Sequence, residues 1–125
     1  MNASLKTVKG SFYKLDLVAS LIRGMNVKEA DAQLTFCSKR MAVIVKKLLQ
    51  SAVANAKHNN GIENAEKLFI KTINVGRAFV LKRFLPCGRG RSARVEKRFS
   101  NIEIILEEKL EDSLTDKKNK NNNKK

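Results

Sequence analysis

The sequence is poor in cysteine, histidine and long apolar runs. Its 125 residues include two cysteines and one histidine, and its longest unbroken apolar run, Met41 to Val45, is short. Two cysteines cannot form a disulfide framework, and a membrane-spanning helix needs about 20 apolar residues. A secretory leader is not expected, since Lys6, Lys9 and Lys14 interrupt the N-terminal segment. These shortages exclude a disulfide-rich secreted domain and a membrane-spanning protein, and no membrane partner is expected.

The same shortages leave no set of residues suited to catalysis. Cys37 and Cys87 lack Cys-x-x-Cys spacing and His58 is the only histidine, so a zinc site would lack ligands. The carboxylates of residues 107–112 follow the predicted core and are better explained as a solvated charged run than as an acid–base pair. No glycine-rich phosphate loop follows a strand. We therefore expect no enzyme, no metal site and no cofactor.

Positive charge, in contrast, is abundant and concentrated. The sequence contains 26 Lys and Arg against 12 Asp and Glu, which gives a net charge of +14. Residues 67–99 alone contain ten Lys and Arg but only one acid, Glu96. Such crowding of like charges destabilises a compact free state, and clustered cations are typical of nucleic-acid binding. This segment therefore predicts a polyanionic partner.

Apolar periodicity predicts three helices in the first half of the chain. Between Ser11, a candidate N-cap, and Gly24, a candidate stop, four apolar residues recur at i, i+3, i+4 and i+7. Asn26 is positioned to open a second, short helix. A third and longer helix is predicted over about residues 39–58, with Ser38 as its candidate cap.

The second half of the chain has residue patterns that are typical of β-strands. Residues 68–75 are rich in β-branched side chains, and residues 100–106 alternate between apolar and more polar positions, which predicts one buried face. A short strand is also predicted at residues 6–10. Residues 76–99 form two strand-like arms around a Pro- and Gly-containing tip, residues 86–90. Together these features predict one long hairpin whose arms, about ten residues long, project about 33 Å.

These elements predict an α+β fold, in which three helices pack on a small antiparallel sheet that extends into a long basic β-hairpin. One domain is expected over residues 1–107, with the hairpin extension at about 76–99. Residues 108–125 end in a tract of only Lys and Asn, which has nothing to bury. We expect that tail to be disordered.

Several motifs, in order and at matching spacings, resemble the L-twenty-two family of large-subunit ribosomal proteins, in its bacterial or organellar form. The most specific are Leu-Lys-Arg-Phe at 81–84, Gly-Arg-Gly-Arg at 88–91 and Arg-Val-Glu-Lys-Arg-Phe-Ser-Asn-Ile at 94–102. Leu-Ile-Arg-Gly at 21–24 and Ser-Ala-Val-Ala-Asn-Ala at 51–56 also fit. The resemblance covers roughly residues 5–107.

The resemblance implies a structural constituent of the large ribosomal subunit that binds its ribosomal RNA and assists early assembly. It implies a hairpin tip in the wall of the nascent-peptide exit tunnel, near the macrolide site. The expected partners are ribosomal RNA, neighbouring large-subunit proteins and the nascent polypeptide, with no homo-oligomer. The expected location is the ribosome of the bacterial cytoplasm or of an organelle.

The predicted site consists of basic residues and the glycines of the tip. The side chains expected to bind ribosomal RNA are Lys14, Arg23, Arg77, Lys82, Arg83, Arg89, Arg91, Arg94, Lys97 and Arg98. By motif position, the residues expected at the tunnel are Lys82, Arg83, Gly88, Arg89, Gly90 and Arg91. The chain departs from many bacterial members in having Gly76-Arg77 in place of an acidic pair, and in having Cys87 at the tip.

A second class of protein fits the charge pattern. Free architectural proteins and RNA chaperones also use basic β-ribbons, usually as the arms of a dimer. The helical stripes leave no clear dimerising surface in this sequence. Sedimentation of the native protein with and without ribonuclease would separate the two classes.

Overall fold

The computed structural model describes residues 1–61 and 67–108 and contains three helices and one sheet. The strands are β1 (Asn2–Lys9), β2 (Leu68–Pro86) and β3 (Ser92–Glu108), and the helices between the first two are α1 (Phe12–Ile22), α2 (Val27–Phe36) and α3 (Arg40–Asn60). The sheet is antiparallel with β3 in the centre, in the order β1-β3-β2. The predicted α+β class and its three helices are confirmed.

One hydrophobic core joins the helices to the sheet. In β3, Ile102, Ile104 and Leu106 are buried at every second position, as the alternation predicted. All four apolar positions of the predicted α1 stripe are buried as well. Removing such side chains from water stabilises a fold by about 25 cal/mol per Å² of apolar surface. The helix-covered face of the sheet is therefore where the stability of the domain lies.

The helices begin and end close to the predicted positions, but the predicted N-cap side chains do not make the expected hydrogen bonds. Ser11 is the N-cap of α1, but its side chain makes no cap hydrogen bond. Gly24 has a φ of 79°, in the left-handed region that glycine tolerates, and it ends the turn after α1 as predicted. The cap of α3 is Lys39 rather than Ser38, because the carbonyl of Lys39 accepts the first helical hydrogen bond, from the amide of Ala42.

β1 is longer than predicted and begins earlier. It pairs with β3 from Asn2 opposite Ile105 to Lys9 opposite Phe99. A register shift interrupts it, and Thr7 there has a φ of 64°. Because this irregularity breaks the two-residue alternation, the sequence pattern revealed only the end of the strand.

The hairpin leaves the sheet at a β-bulge. Two residues of β2, Ala78 and Phe79, lie opposite Phe99 alone, since the register shifts between Arg77 and Val80. Beyond this bulge, β2 and β3 continue as a two-stranded ribbon of seven residue pairs, which spans about 23 Å. We call residues 80–98 the ribbon and the rest of the described chain the body.

The ribbon is shorter than the predicted 33 Å because β1 accompanies β3 as far as Phe99. The first part of each arm therefore belongs to a three-stranded sheet. Within the described residues, no helix is long and apolar enough to cross a membrane. Of the predicted tail, only Glu108 lies inside the described residues, as the last residue of β3.

Candidate nucleic-acid interface

The face of β3 that is buried in the body becomes a charged face in the ribbon. Ile102 and Ser100 are buried beneath the helices. At the same two-residue interval, the next side chains on this face are those of Arg98, Glu96 and Arg94, all exposed. We call this the helix-side face of the ribbon and the opposite one its outer face. The change from apolar to charged side chains coincides with the end of β1.

The two faces divide the predicted site residues. Lys82 pairs in register with Glu96 and lies on the helix-side face. Arg83 pairs with Val95 and lies on the outer face, together with Lys97. Lys82 and Arg83, which the tunnel prediction groups together, therefore point in opposite directions. A single surface of the partner cannot contact both side chains from one side of the ribbon.

Ten basic residues were predicted to bind RNA, and all of them are exposed. Within residues 1–61 and 67–108, six of them make no side-chain hydrogen bond or ion pair: Lys14, Lys82, Arg89, Arg91, Arg94 and Lys97. Five of these six lie in the ribbon, which has no core, and Lys14 lies in α1; cations without a side-chain partner among the described residues are available to phosphate oxygens.

Two cations of the ribbon do have partners: Arg83 donates from Nη1 to the carbonyl of Lys82 at 2.8 Å, and Arg98 is engaged by the ribbon's one acid. The Nε and Nη2 atoms of Arg98 donate to the same oxygen of Glu96, at 3.1 and 2.9 Å. Exposed pairs of this kind contribute about 0–1 kcal/mol. Glu96 therefore lowers the charge that Arg98 presents without fixing the ribbon in place.

The tip is a tight turn with one strained residue. The amide of Cys87 donates to the carbonyl of Arg91 at 2.8 Å and closes the turn. Arg89 and Gly90 have φ values of 60° and 70°. A left-handed conformation is ordinary for glycine but uncommon for arginine. The turn therefore favours glycine at position 90, while a Cβ at Gly88 would meet nothing within 4 Å.

Arg23 differs from the other predicted residues because its side chain connects two elements of the body. Its Nη2 atom donates to the carbonyl of Ile73 at 3.2 Å and lies 3.7 Å from a carboxylate oxygen of Asp16. These contacts tie the end of α1 to β2. Arg23 is exposed, but the structure brings it together with none of the ribbon residues.

Arg77 lies at the base of the ribbon against two aromatic rings. Its guanidinium carbon is 5.6 Å from the ring centre of Phe12 and 5.8 Å from that of Tyr13. Its Nη2 atom also donates to the Tyr13 hydroxyl at 3.2 Å. These side chains line a cavity of about 320 Å³, which we call the root pocket; its other walls include Ser11, Val80 and Glu96.

A larger basic groove adjoins the root pocket. It has a volume of about 840 Å³, and we call it the root groove. The cations that line it are Lys9, Lys14, Lys39, Arg40, Lys97 and Arg98. Tyr13 and Glu96 line both the root pocket and the root groove, and Glu96 is the only acid among the described residues of either lining.

Sequence reasoning found only part of this root region. Lys9, Lys39 and Arg40 were missed because they come from two separate places in the chain and resemble ordinary surface charges. Phe12 and Tyr13 did carry a signal, since two large rings are adjacent in the first turn of α1 and Tyr13 lies off its apolar stripe.

A small α+β body from which an exposed basic ribbon projects is typical of a protein that forms part of a ribonucleoprotein particle. The family model described as "Ribosomal protein L22p/L17e" matches residues 3–107. The large ribosomal subunit protein uL22 of Rickettsia akari is 50% identical over 107 residues, covering 86% of this chain and 89% of the relative. That of Rhodospirillum centenum is 46% identical over 112 residues, covering 90% and 84%.

The chain belongs to this ribosomal protein family, which confirms the resemblance seen in its motifs. The family is one of structural, non-enzymatic proteins, and the chain is a structural constituent of the large ribosomal subunit. As such it associates with the ribosome and its RNA. The two relatives named above are bacterial, and the location that follows is the cytoplasmic ribosome.

Proposed function

We propose that the chain binds large-subunit ribosomal RNA through the ribbon and its base, assists early assembly of the subunit, and lines the nascent-peptide exit tunnel with its tip. The observation that carries this proposal is the ribbon itself. Residues 80–98 contain seven Lys and Arg against one acid, and only Leu81 among them is even half-buried.

Electrostatic repulsion among the cations of the ribbon favours its binding to RNA. A two-stranded hairpin is marginally stable at best in water, and the ribbon's cations repel one another. Phosphates on both faces would relieve the repulsion and supply the contacts that the helices supply in the body. Arginine suits this role because its planar fork engages phosphate oxygens in pairs.

The position of basic side chains on opposite faces of the ribbon makes the proposed tunnel role more specific. Lys82 and Arg83 point to opposite sides of the ribbon. If one of them faces the tunnel lumen and the nascent polypeptide, the other faces ribosomal RNA. The closed turn of residues 87–91, with Arg89 held in a left-handed conformation, forms the end that reaches deepest.

Deletion of residues 81–83 tests the tunnel role. It removes three residues from one arm, so it shortens that arm and reverses the side-chain facing beyond the cut. We expect the variant to enter the large subunit with a displaced tip and an altered response to macrolides and stalling peptides. A density map of the mutant particle measures the position of the tip.

A matched control shortens both arms without changing the facing. Residues 81 and 82 pair with residues 97 and 96, so removing all four keeps the register and withdraws the tip by about 6.6 Å. The control should keep a straight ribbon. The proposed tunnel role is wrong if the tip of the three-residue deletion variant is unmoved. The expectation that the tip can be displaced while the body still folds and enters the subunit is wrong if that variant fails to assemble.

The proposed partners also include neighbouring large-subunit proteins. Leu17, Leu21 and Phe36 are apolar but exposed on α1 and α2, and Phe36 is 89% exposed. Sedimentation of cell extract with and without ribonuclease tests the partnership. We expect the protein to migrate with the large subunit and to be monomeric when released. A free dimer would favour the alternative, an architectural nucleic-acid-binding protein.

A further inference from the structure

We propose that the root of the ribbon is a binding site for a single unpaired nucleotide. Its base would stack on Tyr13 in the root pocket, and its phosphate would lie in the root groove. The inference rests on the proposed function, since the nucleotide would belong to the ribosomal RNA that the ribbon binds. It assigns to Phe12 and Tyr13 a role that the charge pattern does not explain.

The Tyr13 ring is exposed and yet held in place. It is 64% exposed, although burial of aromatic rings is normally favourable. Phe12 meets it edge-on, with ring centres 5.5 Å apart and planes at 79°. Arg77 holds it from another side through its guanidinium and the hydrogen bond to its hydroxyl. The ring is therefore oriented before a ligand arrives, which lowers the entropic cost of binding.

The chemistry of the root pocket suits a nucleobase. Unstacked bases of single-stranded RNA stack on aromatic rings and on arginine guanidinium planes. The pocket offers both, in a cavity of about 320 Å³, within the size range of small-molecule sites. The Ser11 hydroxyl lines it and makes no cap hydrogen bond, so it is available to the edge of a base.

The root groove suits the phosphate of the same nucleotide. Lys9 ends β1, Lys14 lies in α1, and Lys39 and Arg40 begin α3, so three elements bring cations to one groove. Because Tyr13 lines both cavities, a base on its ring has its phosphate beside these cations. A site for phosphate alone would need the groove but not the rings.

The composition of the chain provides a direct test. Tyr13 is the only tyrosine and the chain has no tryptophan, so tyrosine fluorescence of the full-length protein reports this one ring. We would titrate it with a hexamer of adenylate and with an abasic hexamer that has the same phosphates. We expect the adenylate to quench the fluorescence and the abasic hexamer to leave it nearly unchanged. Equal quenching by both oligomers would overturn the proposal.

Variants separate stacking from general RNA binding. Tyr13→Ala should weaken binding of a labelled adenylate hexamer by about 5- to 150-fold, the usual range for one stacked base. Tyr13→Phe keeps the ring and should lose much less affinity. Phe36→Ala, which removes an exposed ring from α2, is the matched control and should bind like the unaltered chain.

The outcomes distinguish this site from the function on which it rests. Tight, salt-dependent binding of both hexamers, with Tyr13→Ala unchanged, would overturn the nucleotide site and leave the proposed RNA-binding function standing. Absence of binding to either hexamer and to ribosomal RNA at low salt would overturn both. Quenching by adenylate alone, lost affinity in Tyr13→Ala and retained affinity in Tyr13→Phe would establish the site.

Discussion

Body and ribbon share a strand but differ in what holds them together. From Phe99 to Ile105, β3 lies between two neighbouring strands, and its alternate side chains Ser100, Ile102 and Ile104 are buried under the helices. From Ser92 to Lys97 the same strand has β2 as its one neighbour, and every side chain is exposed. The backbone ladder continues across the boundary while the side chains change from apolar to charged. Strand pairing alone therefore sets the shape of the ribbon, and burial sets the stability of the body.

The largest expected contrast between the two regions is in stability. Ile104→Ala removes a fully buried side chain from the centre of the core and should cost about 2–5 kcal/mol. Leu85→Ala, at a position 56% exposed in the ribbon, should cost no more than about 0.5 kcal/mol. Urea unfolding followed by circular dichroism measures both.

Equal losses in the two variants would contradict the contrast, because they would mean that the ribbon unfolds as part of the core. Ser100→Ala sharpens the boundary, since the Ser100 hydroxyl donates to the carbonyl of Gly10 at 3.0 Å where β1 ends. Its loss leaves a partly buried acceptor without this partner and should cost about 1 kcal/mol.

The next contrast is in RNA affinity. If about six phosphates are neutralised, the log–log slope of affinity against salt should be about −4 to −5. Arg94→Ala removes one exposed cation and should make the slope shallower by about one unit. Lys71→Ala is the control, since Lys71 lies in the body and pairs with Glu107 at 2.8 Å. A slope near zero in the unaltered protein would leave phosphate binding unsupported.

The smallest expected effect is an increase, rather than a decrease, in affinity for RNA. Glu96→Gln removes the ribbon's one acid and releases Arg98 from its two hydrogen bonds. Because an exposed pair contributes at most about 1 kcal/mol, affinity for RNA should rise by no more than about fivefold. Glu103→Gln changes the same charge within the body strand and should have little effect. Weaker binding in Glu96→Gln would show that the carboxylate itself contacts the partner.

Much of the fold was predictable because local patterns and the final packing agree. The stripe of α1, the alternation of Ile102, Ile104 and Leu106, and the stop at Gly24 are all properties of short segments. The start of β1 was not, since the irregularity at Thr7 interrupts its alternation. The length of the ribbon was overestimated because it depends on how far β1 pairs along β3, and strand pairing is not a property of a short segment.

The site was predictable in its charge and not in its arrangement. Ten exposed cations were identified from composition and motifs, but whether Lys82 and Arg83 share a face depends on strand pairing. The engagement of Arg23 by the carbonyl of Ile73 depends on how α1 packs on β2. The root pocket depends on the meeting of α1 and β2, since Arg77 and Tyr13 are 64 positions apart.

Hydrogen exchange of the isolated protein tests the central contrast most directly. The amides of α3 and of β3 from Phe99 onward should exchange slowly, because their hydrogen bonds open only when the core does. The amides of residues 80–98 should exchange fast in the isolated protein and slowly in the assembled subunit, with a sharp boundary at the bulge. Protection of the ribbon equal to that of the body in the isolated protein would contradict the conclusion that only a polyanionic partner stabilises it.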